Sequence, residues 1–221
     1  MKYGESSFDV IYLLLAIICG FIMIFKSRGK TGKKMGIAAL ILGAGDAFHL
    51  VPRVINYFSS ADMTAALGVG KFVTSLTMTV FYVFIYYIWL EIYGENENKK
   101  ITLAVWILTA LRVALCLFPQ NAWIENKSDM LWGIIRNVPF VALGAIVIVL
   151  FFLKRNEIKR FKAVWLYVLL SFLFYIPVAV GAGAVPMLGM LMLPKTICYI
   201  ILIITFLLYV LKDGEEKPST T

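Results

Sequence analysis

The amino-acid sequence predicts an all-α integral membrane protein, a single bundle of seven transmembrane helices with the N-terminus outside and the C-terminus cytoplasmic. Three observations carry that expectation. Hydrophobic residues make up 61% of the 221-residue chain and charged residues only 15%, where a soluble domain carries about 25% charge. Almost the whole chain is divided into apolar stretches of roughly 18 to 25 residues, the length that crosses about 30 Å of hydrocarbon. Lysine and arginine collect in every second connection, as they do in the cytoplasmic loops of membrane proteins.

Taken in order, span one covers residues 8–25. The first nine residues lack a basic leader, and no small-residue cleavage site follows the apolar run, so this span is expected to be retained. Lys26, Arg28, Lys30, Lys33 and Lys34 follow it. Span two covers 35–57 and span three 65–93, with Lys99 and Lys100 just beyond. Span four covers 101–118; a turn-rich connection, 119–129, leads to span five at 130–153. Lys154, Arg155, Lys159, Arg160 and Lys162 crowd the next loop. Span six covers 163–182 and span seven 188–211. All seven belong to one domain, 1–211, and the polar tail 212–221 is expected to be disordered and cytoplasmic.

Fourteen of the 21 lysines and arginines lie in alternate connections and the tail, whereas the opposite connections hold little beyond Lys2 and Lys127. Seven spans is the count that keeps every basic cluster on the cytoplasmic side. The formal charge of +8 is therefore a topological signal and does not point to nucleic acid. Cys19, Cys116 and Cys198 stand alone in apolar runs, with neither metal-ligand nor disulfide spacing, and read as small packing residues.

Five bases remain, and all fall within spans: Arg53, Lys71, Arg112, Arg136 and Lys195. Counted from the cytoplasmic ends, each lies in the outer half of its helix. Lys195 is seventeen residues from Lys212, or roughly 25 Å along a helix, which puts it about 5 Å below the outer edge of the hydrocarbon. Such side chains either snorkel to the headgroups or face a polar interior, because an exposed charge in lipid costs at least about 3 kcal/mol.

Helical periodicity favours the interior. Asp46, His49 and Arg53 are spaced i, i+3, i+7 and lie within about 60° on one face. Lys71, Thr74, Ser75, Met78, Tyr82, Tyr86 and Trp89 form a stripe along span three. Span six offers Tyr167, Ser171 and Tyr175; span seven offers Lys195, Tyr199 and Tyr209. Taken alone, the tyrosines and threonines read first as groups that hold helices together. Asp46 reads as the one acidic residue near mid-membrane, and a pair with Lys195 or Arg53 is expected. The remaining positive charge suits recognition of a carboxylate or phosphate.

The expected site therefore comprises Asp46, His49, Arg53, Lys71, Ser75, Tyr82, Arg136, Tyr175, Lys195 and Tyr199. It would bind an anionic small molecule or lipid headgroup from the outer side, in a transporter or ligand sensor of the cell membrane. No cofactor or metal is expected, the lipid bilayer is the one certain partner, and a protein partner is not legible. Pro52, Pro139, Pro177, Pro186 and Pro194, with Gly181, Gly183 and Gly189, suggest a splayed outer vestibule, since proline frees a carbonyl and bends its helix.

Catalysis is the second reading: His49 would act as general base, oriented by Asp46, on an outer-leaflet lipid. Zinc chemistry of the kind found in seven-span alkaline ceramidases and adiponectin receptors needs several histidines, and this chain has one, His49. No nucleophile or phosphate-loop motif occurs. In architecture the chain resembles the rhodopsins, with seven helices, a lysine in the last of them and Tyr175-Ile176-Pro177 in span six. That resemblance implies a retinal Schiff base at Lys195. The chain departs from it in two ways: Lys195 lies toward the outer edge, and span three offers Lys71 where microbial rhodopsins carry an acidic counter-ion.

Overall fold

Seven α-helices make up the computed structural model, which describes residues 2–127, 129–181 and 185–213. They are α1 (Lys2–Lys26), α2 (Lys30–Phe58), α3 (Thr64–Ile92), α4 (Lys99–Leu117), α5 (Met130–Leu153), α6 (Val164–Gly181) and α7 (Met192–Leu208), the last prolonged by a π-helical turn, Tyr209–Asp213. No strand occurs among the described residues. Seven helical segments, the sixth reckoned as Lys159–Gly181 and the seventh as Met187–Lys212 with their flanking turns, are long and apolar enough to cross a membrane, so the chain is a multi-pass membrane protein. At 29 residues each, α2 and α3 are about 44 Å long and overreach the hydrocarbon by roughly 14 Å.

The helices run alternately up and down, and polar contacts show which connections share an end. Lys154 pairs with Glu95 at 2.7 Å, joining the α3–α4 and α5–α6 connections, and Lys34 pairs with Glu91 nearby. This is the basic end. At the opposite end the Lys2 ammonium reaches the Tyr57 carbonyl, Glu5 pairs with Arg53, and Lys71 donates to Asn126 at 2.7 Å. Helix α1 lies against α2 and α7, which closes the ring, while α3 packs on α2, α4 and α5 and takes the central position.

Small residues set the closest approaches. A Cβ on Gly36 would strike the backbone of Gly20 and the side chain of Ile24, so α1 and α2 meet backbone to backbone. Toward the basic end the interior is filled: Phe81, Tyr82, Ile85, Tyr86, Phe151, Phe161 and Phe206 are all essentially inaccessible. Val10, Ile11, Leu14, Ile18 and Phe21 on α1, with Leu103, Trp106, Ile107 and Leu111 on α4, are exposed instead. In water such a surface would aggregate; against lipid tails it is the ordinary outer face of a helix bundle.

Two differences from the sequence expectation stand out. Helix α1 starts at Lys2, earlier than the expected span, because a polar first turn costs nothing where it projects past the hydrocarbon. As a result Glu5 becomes a helical residue and pairs with Arg53 of α2. Lys212 and Asp213 continue α7 as its π turn and are not part of a loose tail. The expected disorder of residues 214–221, and the vestibule position given to Gly183, lie outside the described residues.

Candidate functional site

Two close approaches between α2 and α3 position the first group of side chains. Gly45 faces Thr77 so tightly that a Cβ there would collide with it, and the Thr74 hydroxyl donates to the Gly45 carbonyl at 3.0 Å. Two turns further along α2, Pro52 has no N–H to offer the Phe48 carbonyl. Gly70 of α3 lodges against that carbonyl, where any Cβ would overlap backbone atoms of Phe48 and His49. The facing backbones bring Asp46 and His49 of α2 to the level of Lys71, Thr74 and Ser75 of α3.

Asp46 accepts a hydrogen bond of 2.7 Å from the Tyr12 hydroxyl of α1. The expected ion pair between Asp46 and Lys195 or Arg53 is not formed. Arg53 is instead taken by Glu5, with the Tyr57 hydroxyl bridging the two: it accepts from Arg53 Nε at 3.3 Å and donates to Glu5 Oε2 at 3.0 Å. Lys195 stands in the first turn of α7, its ammonium 4.8 Å from the ring centre of Tyr175 and 5.4 Å from that of Tyr199. Its charge acts on both Asp46 and His49, yet no carboxylate among the described residues lies within ion-pairing distance of it.

His49 interacts with the Leu67 backbone, and its Nδ1 is buried without a hydrogen-bond partner. No bond joins it to Asp46 among the described residues, so the orienting contact expected of a catalytic pair is absent from this geometry. Among the described residues no three His, Cys, Asp or Glu side chains group as metal ligands.

A second group comes from α4, α5 and the connection between them. Arg136 donates to Asn121 Oδ1 at 2.8 Å and stacks over the Trp123 indole at 4.4 Å. Arg112, only 2% exposed, donates to the Arg136 carbonyl and lies 5.4 Å from the centre of the Phe140 ring. That bond serves the turn of α5 in which Pro139 leaves the Ile135 carbonyl without its helical donor. Lys71 lies within electrostatic reach of Arg136 and Arg53, which connects the two groups.

Below these, toward the basic end, the accessible side chains give way to buried ones. Asp46, His49, Ser75, Tyr175 and Lys195 are half-buried, whereas Tyr82, Ser171 and Tyr199 are buried. Tyr82 lies 3.4 Å from the hydroxyls of both Ser171 and Tyr199, and its ring meets Phe140 edge-on at 5.3 Å. Tyr175 donates to Asn137 Oδ1 at 2.7 Å, and Ser75 donates to the Lys71 carbonyl within its own helix. The arrangement is layered: charged groups at the end opposite the basic loops, then Asp46 and Lys195, then an aromatic floor.

Several members of this layer carried no strong signal in the sequence. Tyr12 sits in an apolar run, and only its position three residues after Asp9 marks it as polar-facing. Asn121, Asn126 and Asn137 are short amides whose partners, Arg136, Lys71 and Tyr175, lie on other elements. Fold and site together define a multi-pass membrane protein with charged and polar groups between its helices at one end. No family model, curated protein or solved structure matches the chain.

Proposed function

We propose that the chain is a cell-membrane transporter or ligand sensor, its basic loops cytoplasmic, that binds an anionic small molecule or lipid headgroup from the outer side. One observation carries this reading. The Lys195 ammonium is half-buried between two tyrosine rings, with no carboxylate in ion-pairing distance among the described residues. A cation held there has given up part of its water while the Asp46 carboxylate acts on it only from beyond ion-pairing distance, and a bound anion would supply a direct partner. Lys71 and Arg136, hydrogen-bonded to the neutral amides of Asn126 and Asn121, lie above it with the same charge. Carboxylate and phosphate are the groups that such a set of ammonium and guanidinium donors recognises.

Transport needs the aromatic floor to part. Pro139 and Pro177 interrupt the hydrogen-bond ladders of α5 and α6, and Tyr82 meets Ser171 and Tyr199 through hydroxyls with no charged pair to break. The experiment is a thermal-shift screen of the purified protein against small carboxylates and phosphate esters, followed by uptake of any hit into proteoliposomes with and without a pH gradient. Stabilisation of the native chain, lost in Lys195→Met, is the expected result, with uptake separating a transporter from a sensor. If no carboxylate or phosphate stabilises the protein, or if Lys195→Met responds as the native chain does, the reading is wrong.

A further inference from the structure

On the lipid side of α1 and α2 lies a second feature, separate from the Lys195 layer. A cleft of about 140 Å³ opens between the two helices, lined by Asp9 and otherwise by leucine, valine and isoleucine, among them Leu13, Leu50 and Val54. Val10, Val51 and Ile55 at its rim are exposed on the membrane-facing surface. Asp9 itself is only 5% exposed, and its Oδ2 is buried with no hydrogen-bond partner. One turn earlier on the same buried face, Ser6 is 6% exposed and its hydroxyl is likewise unsatisfied.

The charged groups around Asp9 leave it without a cation. On its own helix Glu5 is committed to Arg53, and Tyr12 donates to Asp46. From α2, Arg53 is held by Glu5, and Asp46 is the neighbour whose charge reaches Asp9. From α7, Lys195 acts on Asp46 and makes no ion pair with Asp9 among the described residues. The turn Tyr209–Asp213 meets the other end of α1. Asp46 thus has Lys195 within electrostatic reach, whereas Asp9, buried against aliphatic side chains with an unpartnered oxygen, has no cation and only the charge of Asp46 acting on it. The cleft is too apolar to hydrate a metal ion, and the smallest cation needs no hydration shell once it is bonded to oxygen.

We propose that Asp9 carries one exchangeable proton at the α1–α2 interface, on the membrane side, under the influence of the nearby Asp46 charge. Resting on the anion reading above, this proton would be the ion whose movement is linked to the anion near Lys195. Protonation adds H⁺ to one carboxylate oxygen and release returns it to water, so no other reactant is involved.

The test does not depend on any anion, and so its failure is distinct from failure of the anion site. Dicyclohexylcarbodiimide partitions into lipid and adds only to protonated carboxyls, which rearrange to a stable N-acylurea. With the full-length protein in lipid nanodiscs, peptide mass spectrometry should find the adduct on Asp9 near neutral pH and lose it as the pH rises. Asp46→Asn, which removes the neighbouring negative charge, should cut Asp9 labelling near neutral pH by about threefold or more. An unlabelled Asp9 at every pH in folded protein would overturn the proposal. So would labelling indifferent to Asp46, or labelling governed by sodium concentration and not by pH.

Discussion

Tyr12, Asp46 and Lys195 come from three helices and share one electrostatic environment, yet only the first two are hydrogen-bonded. The consequences of changing them differ in sign. Tyr12→Phe leaves Asp46 without its donor and should cost about 1–3 kcal/mol, read as a lower unfolding temperature in detergent. Lys195→Met replaces a half-buried, unpaired ammonium with an apolar chain of similar length. A charge taken out of water without a direct partner carries a desolvation cost, so the variant should melt at the same temperature or higher while losing anion-induced stabilisation. A variant that gains stability and loses response is the mark of a residue kept for function. Arg53→Gln leaves Glu5, which is mostly shielded from solvent, without its cation, so it should cost about 1–3 kcal/mol, read as a lower melting temperature. Neither Glu5, which precedes the expected first span, nor Asp9, which lies at its start, was expected at the site; the helix from Lys2 onward turns both toward α2.

Between elements, the α2–α3 contact governs the geometry of the charged layer. Gly70→Ala places a methyl against the Phe48 carbonyl and the His49 backbone. Overpacking of this kind costs typically about 1–3 kcal/mol, and it should separate His49 from Lys71. Gly4→Ala, where nothing lies within 4 Å of an added Cβ, should be neutral or slightly stabilising, since alanine is the better helix former. Comparing the two melting curves separates a packing effect from helix propensity. At the basic end, Glu157 and Glu95 hold the Lys154 ammonium above the usual lysine range by hydrogen bonding to it. A lysine raised on folding contributes stability that is complete below its unfolded value and lost as pH climbs through its folded one. Docking of the α3–α4 connection on the α5–α6 connection should therefore persist through neutral and mildly alkaline pH and loosen only in strong alkali. The contribution is small because the pair is solvent-exposed, and protease susceptibility of the two connections across that range would reveal it.

For the whole molecule, an odd number of spans places the two termini on opposite sides of the membrane. The proposed orientation predicts that a green fluorescent protein joined after Lys212 fluoresces and that alkaline phosphatase joined there is inactive. The reverse outcome would turn the pocket toward the cytoplasm. Span count and order were legible because hydrocarbon thickness dictates segment length and loop charge dictates which connections share a side. These constraints act along the chain and need no knowledge of neighbours. Helical periodicity also indicated the polar faces, since Asp46, His49 and Arg53 share a face whatever lies opposite. Partnership was not legible. Tyr12 and Asp46 are 34 residues apart, Glu5 and Arg53 48, and Lys71 and Asn126 55. A hydrogen bond between distant residues depends on which helices adjoin, at what height and in what rotation. Glycine contacts and side-chain packing settle those quantities only in the folded bundle. The sequence by itself determined seven membrane-spanning helices and a basic end. Only the folded bundle shows that Arg53 is ion-paired, that Lys195 is not, and that Asp9 borders an apolar cleft, because charge pairing is a property of neighbours in space.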